Sequence, residues 1–465
     1  MKFLLINPQS SVKIYKTGKL RAVVSEMPMI SLASLAGVLE KNKVEVQVLD
    51  LATSLAPEQE LKDTLRYFNP DYVGVTFSTP LYEEAKQIAE IVKSFNPKII
   101  TIAGGVHISA LTEETLKNTQ FDIGVIGEGE ETLQDIINKK PLVKIKGIAY
   151  KNKGKIKINK RRELIKDLDS LPLPAWHLFN LKKYKASKLT TRKQPVGPIE
   201  TSRGCVYGCI YCNKDIFGRT FRYKSPERVI LEIKHMLNSG FKEIHVWDDN
   251  FVTNLDRAKK ICDLIIQEGL NKKVKWVLAC GVRCDCIDEE FIKKAKQAGC
   301  YSIYLGVETG SPELLKKINK GETLEQIKYA FYLCKKVGIE TVAFYMFGLP
   351  GETIETMEQT IQLAKDLDSD YAKFTITVPF PSTPLFHEWE KQGILKTKDW
   401  SKYNFHSASK VYDHPNLSWE ILEKYYHKAY KDFYFRPKYL AKRLFRDIKE
   451  GRLLIEIYGA FKTFI

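Results

Sequence analysis

No apolar run in these 465 residues approaches the roughly 18 that a membrane-spanning helix needs. The longest, such as Thr341–Leu349, reach about half that length. The opening MKFLLINPQSS carries one lysine and a short apolar patch cut by Asn7-Pro8, without the longer apolar core and cleavage site of a secretory signal. A cytoplasmic location is expected. No disulfide framework is visible either: nine cysteines are an odd number without suitable spacing, which suits a reducing compartment and directs attention to metal binding. Repeats and low-complexity tracts are missing. Glycine and proline are too few for collagen-like sequence, and 44% apolar residues exclude a mainly disordered chain. At roughly 100–200 residues per domain, two or three domains are expected.

The net charge of +17 is unevenly placed. Residues 1–145 sum to −2 and 201–400 to +2, whereas 146–200 hold +11 and 401–465 hold +6. The excess therefore sits in a connecting segment and a tail. Solvated surface lysines explain it, and so does a patch for an anionic lipid surface, an acidic substrate or RNA.

Along the N-terminal segment, short apolar runs alternate with helical patterns: Phe3–Ile6, Val44–Leu49, Tyr72–Phe77, Lys98–Ala103 and Asp122–Ile126 read as strands. This predicts a doubly wound parallel sheet over 1–145, with ligand-binding loops at the carboxyl ends of its strands. Residues 146–194 read as a basic hairpin and a Pro-punctuated linker. A second series, from Pro198–Thr201 through Glu243–Trp247, Val274–Ala279, Ser302–Val307, Thr341–Phe347 and Lys373–Val378, predicts a full or partial (β/α) barrel over 195–385. Residues 386–465 read as mainly helical.

The informative stretch is TSRGCVYGCIYCNKD, in which Cys205, Cys209 and Cys212 stand in C-x3-C-x2-C spacing after the first barrel strand. Thiolates select zinc or iron–sulfur clusters. A structural zinc needs four ligands, and the next Cys or His is as far along as His235 and Cys262. A four-iron cluster on three cysteines leaves one iron open to substrate.

This loop, with aromatic Tyr211 before the last cysteine, resembles the radical S-adenosylmethionine (SAM) superfamily. The resemblance runs through 195–385 and includes Asp248–Phe251, GVETGS at Gly306–Ser311 and FGLPGET at Phe347–Thr353. It implies a partial (β/α)6 TIM-type barrel, a 4Fe-4S cluster on Cys205, Cys209 and Cys212, and SAM chelating the open iron. It further implies that Tyr211, Glu308 and Asp248 or Asp249 contact SAM. The bland readings are a helix cap for Glu308 and a turn for the aspartates.

The N-terminal segment resembles the Rossmann-like cobalamin-binding domain often fused to such barrels. The resemblance rests on the INP start, TFSTP at Thr76–Pro80, GGVHISA at Gly104–Ala110 and GEGEET at Gly127–Thr132. It implies that Thr76, Ser78, Thr79, Gly104, Gly105, Gly127, Glu128 and Gly129 line the cofactor, with glycine amides near its phosphate. The cobalt-ligating D-x-H-x-x-G motif of many cobalamin domains is missing, and His107 reads as structural. A domain that has lost its cofactor is the alternative.

The resemblance implies a cobalamin-dependent radical SAM enzyme, a methyltransferase acting on an unactivated carbon; the rival is a cyclase or rearrangement enzyme without net methyl transfer. A reducing partner such as flavodoxin or ferredoxin and a small-molecule or lipid-like substrate are implied, and nucleic acid is not expected. Cys280, Cys284 and Cys286 offer a second cluster, a redox thiol or buried wall residues. Tyr425, Tyr426, Tyr430, Phe433, Tyr434 and Phe435, beside Lys428, Lys431 and Arg436, read as a packing helix or as a membrane anchor.

Overall fold

The computed structural model describes residues 1–8, 26–405, 408–455 and 457. The first sheet contains β1 (Lys2–Asn7), β2 (Glu45–Asp50), β3 (Tyr72–Thr76), β4 (Ile100–Gly104), β5 (Ile123–Val125), β6 (Ile148–Asn152) and β7 (Lys155–Ile158), in spatial order β2-β1-β3-β4-β5-β6-β7. Strands β1 to β5 run parallel, and helices cover both faces, so β1 (KFLLIN) is buried along nearly its whole length instead of alternating. The order reverses beside β1, as a doubly wound sheet requires.

The hairpin changes the expected boundary at 145. Strand β6 pairs antiparallel with β5, and β7 with β6, so the lysine-rich hairpin continues the first sheet. Its two-residue turn, Lys153-Gly154, takes positive φ at both positions (49° and 77°), which matches the right-handed twist of the strands. The buried residues Ile148 and Ala149 anchor it, and the lysines lie outside.

The second sheet is entirely parallel, in order β15-β14-β13-β12-β11-β8: β8 (Val196–Ile199), β11 (Glu243–Val246), β12 (Lys275–Val282), β13 (Cys300–Glu308), β14 (Glu340–Phe347) and β15 (Tyr371–Ile376). Strands β8 and β15 do not pair, so the barrel is partial. A short antiparallel pair, β9 (Ser202–Arg203) with β10 (Arg222–Tyr223), clips together the two ends of the cysteine loop.

The tail helix Trp419–Tyr434 closes the open edge. Tyr430 and Tyr434, one helical turn apart, place their hydroxyls on both the amide and the carbonyl of Phe374 and Ala372. Two side chains thus satisfy edge groups that a neighbouring strand would otherwise take. Phe433 is fully buried beneath them. Tyr430, Phe433 and Tyr434 thus pack on the barrel edge, whereas Phe435 is exposed; residues 458–465 of the tail lie outside the described residues.

A buried ion cluster joins the two sheets. Arg203 on β9 donates to Glu128 at 2.8 Å, Glu130 at 2.6 Å and Glu200 at 2.7 Å, and Arg222 on β10 donates to Glu128 at 2.8 Å. Glu128 and Glu130 follow β5 and are buried, as are both arginines. Removing one partner from such a cluster strands an unpaired charge. Arg203→Met should lower unfolding free energy by about 3–5 kcal/mol. Urea denaturation measures this, and a loss within error of zero would refute the cluster's structural role.

Candidate functional site

The cysteine loop lies where the carboxyl ends of β8, β11 and β13 converge. Its first glycine, Gly204, has φ +85°, and a Cβ there would run into the carbonyl of Thr220. Gly208 packs against Asn319, whose amide nitrogen donates to the Gly208 carbonyl at 3.0 Å. The amide of Ile210 donates to the Ile318 carbonyl at 3.1 Å, and the amide of Leu385 to the Ile210 carbonyl at 3.1 Å. Ile210 and Tyr211 rest on Leu314, Ile318 and Leu349. Burial pushes the Tyr211 phenol well above its ordinary range, with Glu308 and Cys209 adding to the shift.

Cys205 is buried, and Cys209 and Cys212 are partly exposed; all three are free thiols. Burial pushes the Cys212 thiol up, and the ammonium of Lys214 beside it pulls the other way. Among the described residues no three His, Cys, Asp or Glu side chains are grouped for a single metal ion. Three free thiols on one rigid loop suit ligands to separate irons of a cluster.

The paired aspartates separate into different positions. Asp248 is buried, with one carboxylate oxygen accepting from the Thr201 amide (2.6 Å) and the other from the hydroxyls of Thr201 (2.5 Å) and Ser202 (2.6 Å). Both its oxygens thus fasten the base of the cysteine loop. Asp249 is exposed and uses Oδ2 on the Gly204 amide at 2.8 Å, leaving Oδ1 available. Glu308 ends β13 in the left-handed region at φ +68°, a strained position for a non-glycine residue. One oxygen accepts from Lys320 at 3.1 Å, and Lys320 also pairs with Glu322 at 3.2 Å. Sequence reasoning did not find Lys320 or Glu322; the charged turn Lys320-Gly321-Glu322 was the available signal.

At the first sheet, Thr76 ends β3 with Ser78 and Thr79 after it, Gly104 ends β4 with Gly105 after it, and Gly127 to Gly129 follow β5, all at carboxyl ends. Gly105, at φ +101°, has no room for a side chain beside Phe77. Ser109 was missed: its hydroxyl donates to the Gly105 carbonyl at 2.9 Å and accepts from the Gly127 amide at 3.0 Å, tying the two glycine loops together. Glu128 does not face this crevice freely. Its carboxylate is taken by Arg203, Arg222 and the Ile165 amide, so its place is in the joint between sheets. Thr79 touches His107 Nδ1 at 3.2 Å, and the His107 ring is enclosed by Phe77, Tyr82 and Trp400. Burial pulls the imidazole down to about 3, so it stays neutral.

The two loop systems meet. Arg161 donates to the carbonyls of Ser109 and Asp215, and a Cβ on Gly127 would lie 3.8 Å from the Ile216 carbonyl. A small cavity lined by Ile126, Gly127, Arg161, Leu164, Asp215 and Ile216 lies at this junction.

The later cysteines diverge. Cys286 Sγ lies 3.0 Å from the Tyr207 hydroxyl, Cys284 is buried in the core, and Cys280 interacts with Asp248, Asp249 and Lys373. Each of the three thus has its own surroundings, and among the described residues they are not grouped for a single metal ion. Lys373 was also missed. Its ammonium lies 5.1 Å from the Tyr304 ring and 5.5 Å from the Phe344 ring, and burial pushes it down to about 8.

Because the folded value of Lys373 lies below the unfolded one, folding disfavours the charged form. That cost is full below about pH 8 and fades as the pH approaches the ordinary lysine value. Lys373→Met should therefore stabilise the fold by about 1–3 kcal/mol at pH 7, and by several-fold less at pH 10. Denaturant titrations at both values test this; an equal gain at the two would contradict it.

Comparison with known proteins agrees with this geometry. The Radical SAM superfamily pattern matches residues 199–364, and the B12 binding domain pattern matches residues 18–137. An uncharacterised methyltransferase of Pyrococcus horikoshii is 34% identical over 454 residues, covering 96% of this chain and 95% of the relative. An anaerobic magnesium-protoporphyrin IX monomethyl ester cyclase of Cereibacter sphaeroides is 30% identical over 393 residues, covering 82% of this chain and 63% of the relative. The radical S-adenosylmethionine methyltransferase TsrM from Kitasatospora setae, solved with cobalamin and a 4Fe-4S cluster, shares the fold with a TM-score of 0.70. Its identity is 22%, over 85% of this chain and 76% of that one. With a B12-binding segment ahead of a radical SAM barrel and a relative of this identity along its whole length, the chain belongs to the cobalamin-dependent radical SAM enzymes.

Proposed function

We propose that this enzyme is a methyltransferase acting on an unactivated carbon of a small, apolar or lipid-like substrate. The observation that carries the reading is the meeting of the three-thiol loop with the glycine loops of the first sheet, across Arg161 and Gly127. Cys205, Cys209 and Cys212 would hold a 4Fe-4S cluster, and Thr76, Ser78, Thr79, Gly104, Gly105, Gly127 and Gly129 would line cobalamin. When bound, the cluster supplies the electron that cleaves SAM, and cobalamin carries the methyl group. The remaining oxygens of Glu308 and Asp249 would orient an amine or ribose, and the Lys320 ion pair would hold the Glu308 side chain at its strained position. Asp248 holds the loop base, and Tyr211 shields the cluster side from water. Domain limits near 195 and 385 follow from this assignment.

A flavodoxin or ferredoxin is the fitting one-electron donor. The basic stretches support work at an anionic membrane surface; among the described residues no helix is long and apolar enough to cross a membrane. The cyclase relatives favour a second reading, ring formation without net methyl transfer. Incubating the reduced holoenzyme with extracted lipids and methyl-labelled SAM separates the two: label in product supports methyl transfer, whereas 5′-deoxyadenosine alone supports cyclisation.

Changing Cys205, Cys209 and Cys212 together to Ala should abolish iron–sulfur absorption and SAM cleavage, because no spare thiolate is at hand. A variant that keeps both would overturn the ligand assignment. Bound cob(II)alamin should show no nitrogen splitting from a protein histidine in its spin-resonance spectrum, since the His107 ring is boxed by aromatic side chains. Splitting that disappears in His107→Ala would reverse this.

A further inference from the structure

We infer that the outer face of the tail helix Pro437–Lys449, with the segment docked at its end, is a docking surface for an anionic phospholipid bilayer. The inference deepens the membrane part of the reading above and assigns it to a different element from the aromatic stripe of the preceding helix, which the barrel edge consumes.

The helix has two faces. On one, the Tyr439 hydroxyl donates to the Asp370 carbonyl at 2.9 Å, Arg446 pairs with Asp370 at 2.6 Å, and Arg443 lies over the Tyr371 ring at 4.1 Å. These contacts fix the helix across the amino ends of β14 and β15. On the other face, Leu440, Leu444, Phe445 and Ile448 stand in i, i+4, i+5, i+8 spacing and are 50%, 50%, 74% and 59% exposed. A monomeric surface rarely strings large apolar groups together so openly. Leu454 continues the ridge at 81% exposure.

Its borders are cationic. Lys438, Lys442 and Lys449 project between the apolar and packed faces, all exposed. Arg452, just beyond the helix, donates to the carbonyls of Lys188, Leu189 and Thr191, and Arg192 pairs with Glu450 at 3.1 Å. These contacts hold residues 188–192 against the helix end, with exposed Lys188 and Lys193 at either side of them. The end of the basic connecting segment and the basic tail, far apart in the chain, thus meet at one surface. The helix's own carboxylate, Asp447, and the following Glu450 are paired with arginines. An apolar ridge rimmed by cations is the pattern of a helix lying in a bilayer interface over anionic headgroups. This surface is at the opposite end of the barrel from the cysteine loop, so docking would leave that loop open to a reductant.

Flotation of the full holoenzyme with phosphatidylglycerol/phosphatidylcholine vesicles, against phosphatidylcholine alone, tests the inference. Wild type should float with the anionic vesicles, lose binding in 0.5 M salt, where the screening distance falls to roughly 4 Å, and bind neutral vesicles little. Leu444→Glu/Phe445→Glu should reduce partitioning by about tenfold or more with melting temperature and cofactor loading unchanged. Lys438→Glu/Lys449→Glu should do the same for the electrostatic part. Wild-type binding that both variants retain overturns the helix assignment and leaves the membrane reading standing. Absence of wild-type binding overturns both, and equal binding to neutral vesicles overturns the anionic choice. If light scattering shows a dimer that Leu444→Glu/Phe445→Glu dissociates, with flotation unaltered, the ridge belongs to a second copy and the inference is wrong.

Discussion

Arg203 sits two residues before Cys205, and its side chain reaches the loop that follows β5. Its guanidinium spans Glu128 and Glu130 from one sheet and Glu200 from the other. Burying that charge is costly unless every donor has a partner, and here three carboxylates and a planar fork satisfy one another. Arg222 completes the arrangement from the far end of the cysteine loop. One ionic joint therefore sets the distance between the glycine loops and the thiol loop. Transfer between cofactors held at these two loops would depend on that distance.

The cysteine loop is held through its backbone. Asp248 grips Thr201 and Ser202, Asp249 grips Gly204, and Asn319 and Ile318 hold Gly208 and Ile210. Other side chains and carbonyls do the fastening, and none of the three thiols is in a disulfide. Glu308 pairs strain with electrostatics: it ends its strand at positive φ and remains paired with buried Lys320. A residue in that conformation persists only where its surroundings over-determine it.

Leaving the barrel open exposes β15 to unwanted pairing. Tyr430 and Tyr434 answer this with hydroxyls at helical spacing, each both accepting and donating along the strand edge. The same requirement makes the aromatic stripe unavailable to a membrane and leaves the next helix with the exposed apolar ridge.

Local pattern determined much of this protein. The period of apolar residues located the strands of both sheets to within a few positions, since buried parallel strands need continuous apolar runs. The C-x3-C-x2-C loop declared its chemistry because thiolates cluster for few other reasons. Pairings between distant residues were beyond that reach. Nothing in the sequence near Glu128 says that it meets Arg203 and Arg222 and not a cofactor, and nothing near Asp248 says that it is buried against Thr201 and Ser202 while Asp249 is exposed. The hairpin's attachment to β5, and the meeting of residues 188–192 with the tail, are likewise matters of three-dimensional contact. Periodicity and ligand spacing are local properties that a chain carries along its length. Charge partners, edge protection and exposed faces depend on which remote segments fold together, and only the tertiary structure decides that.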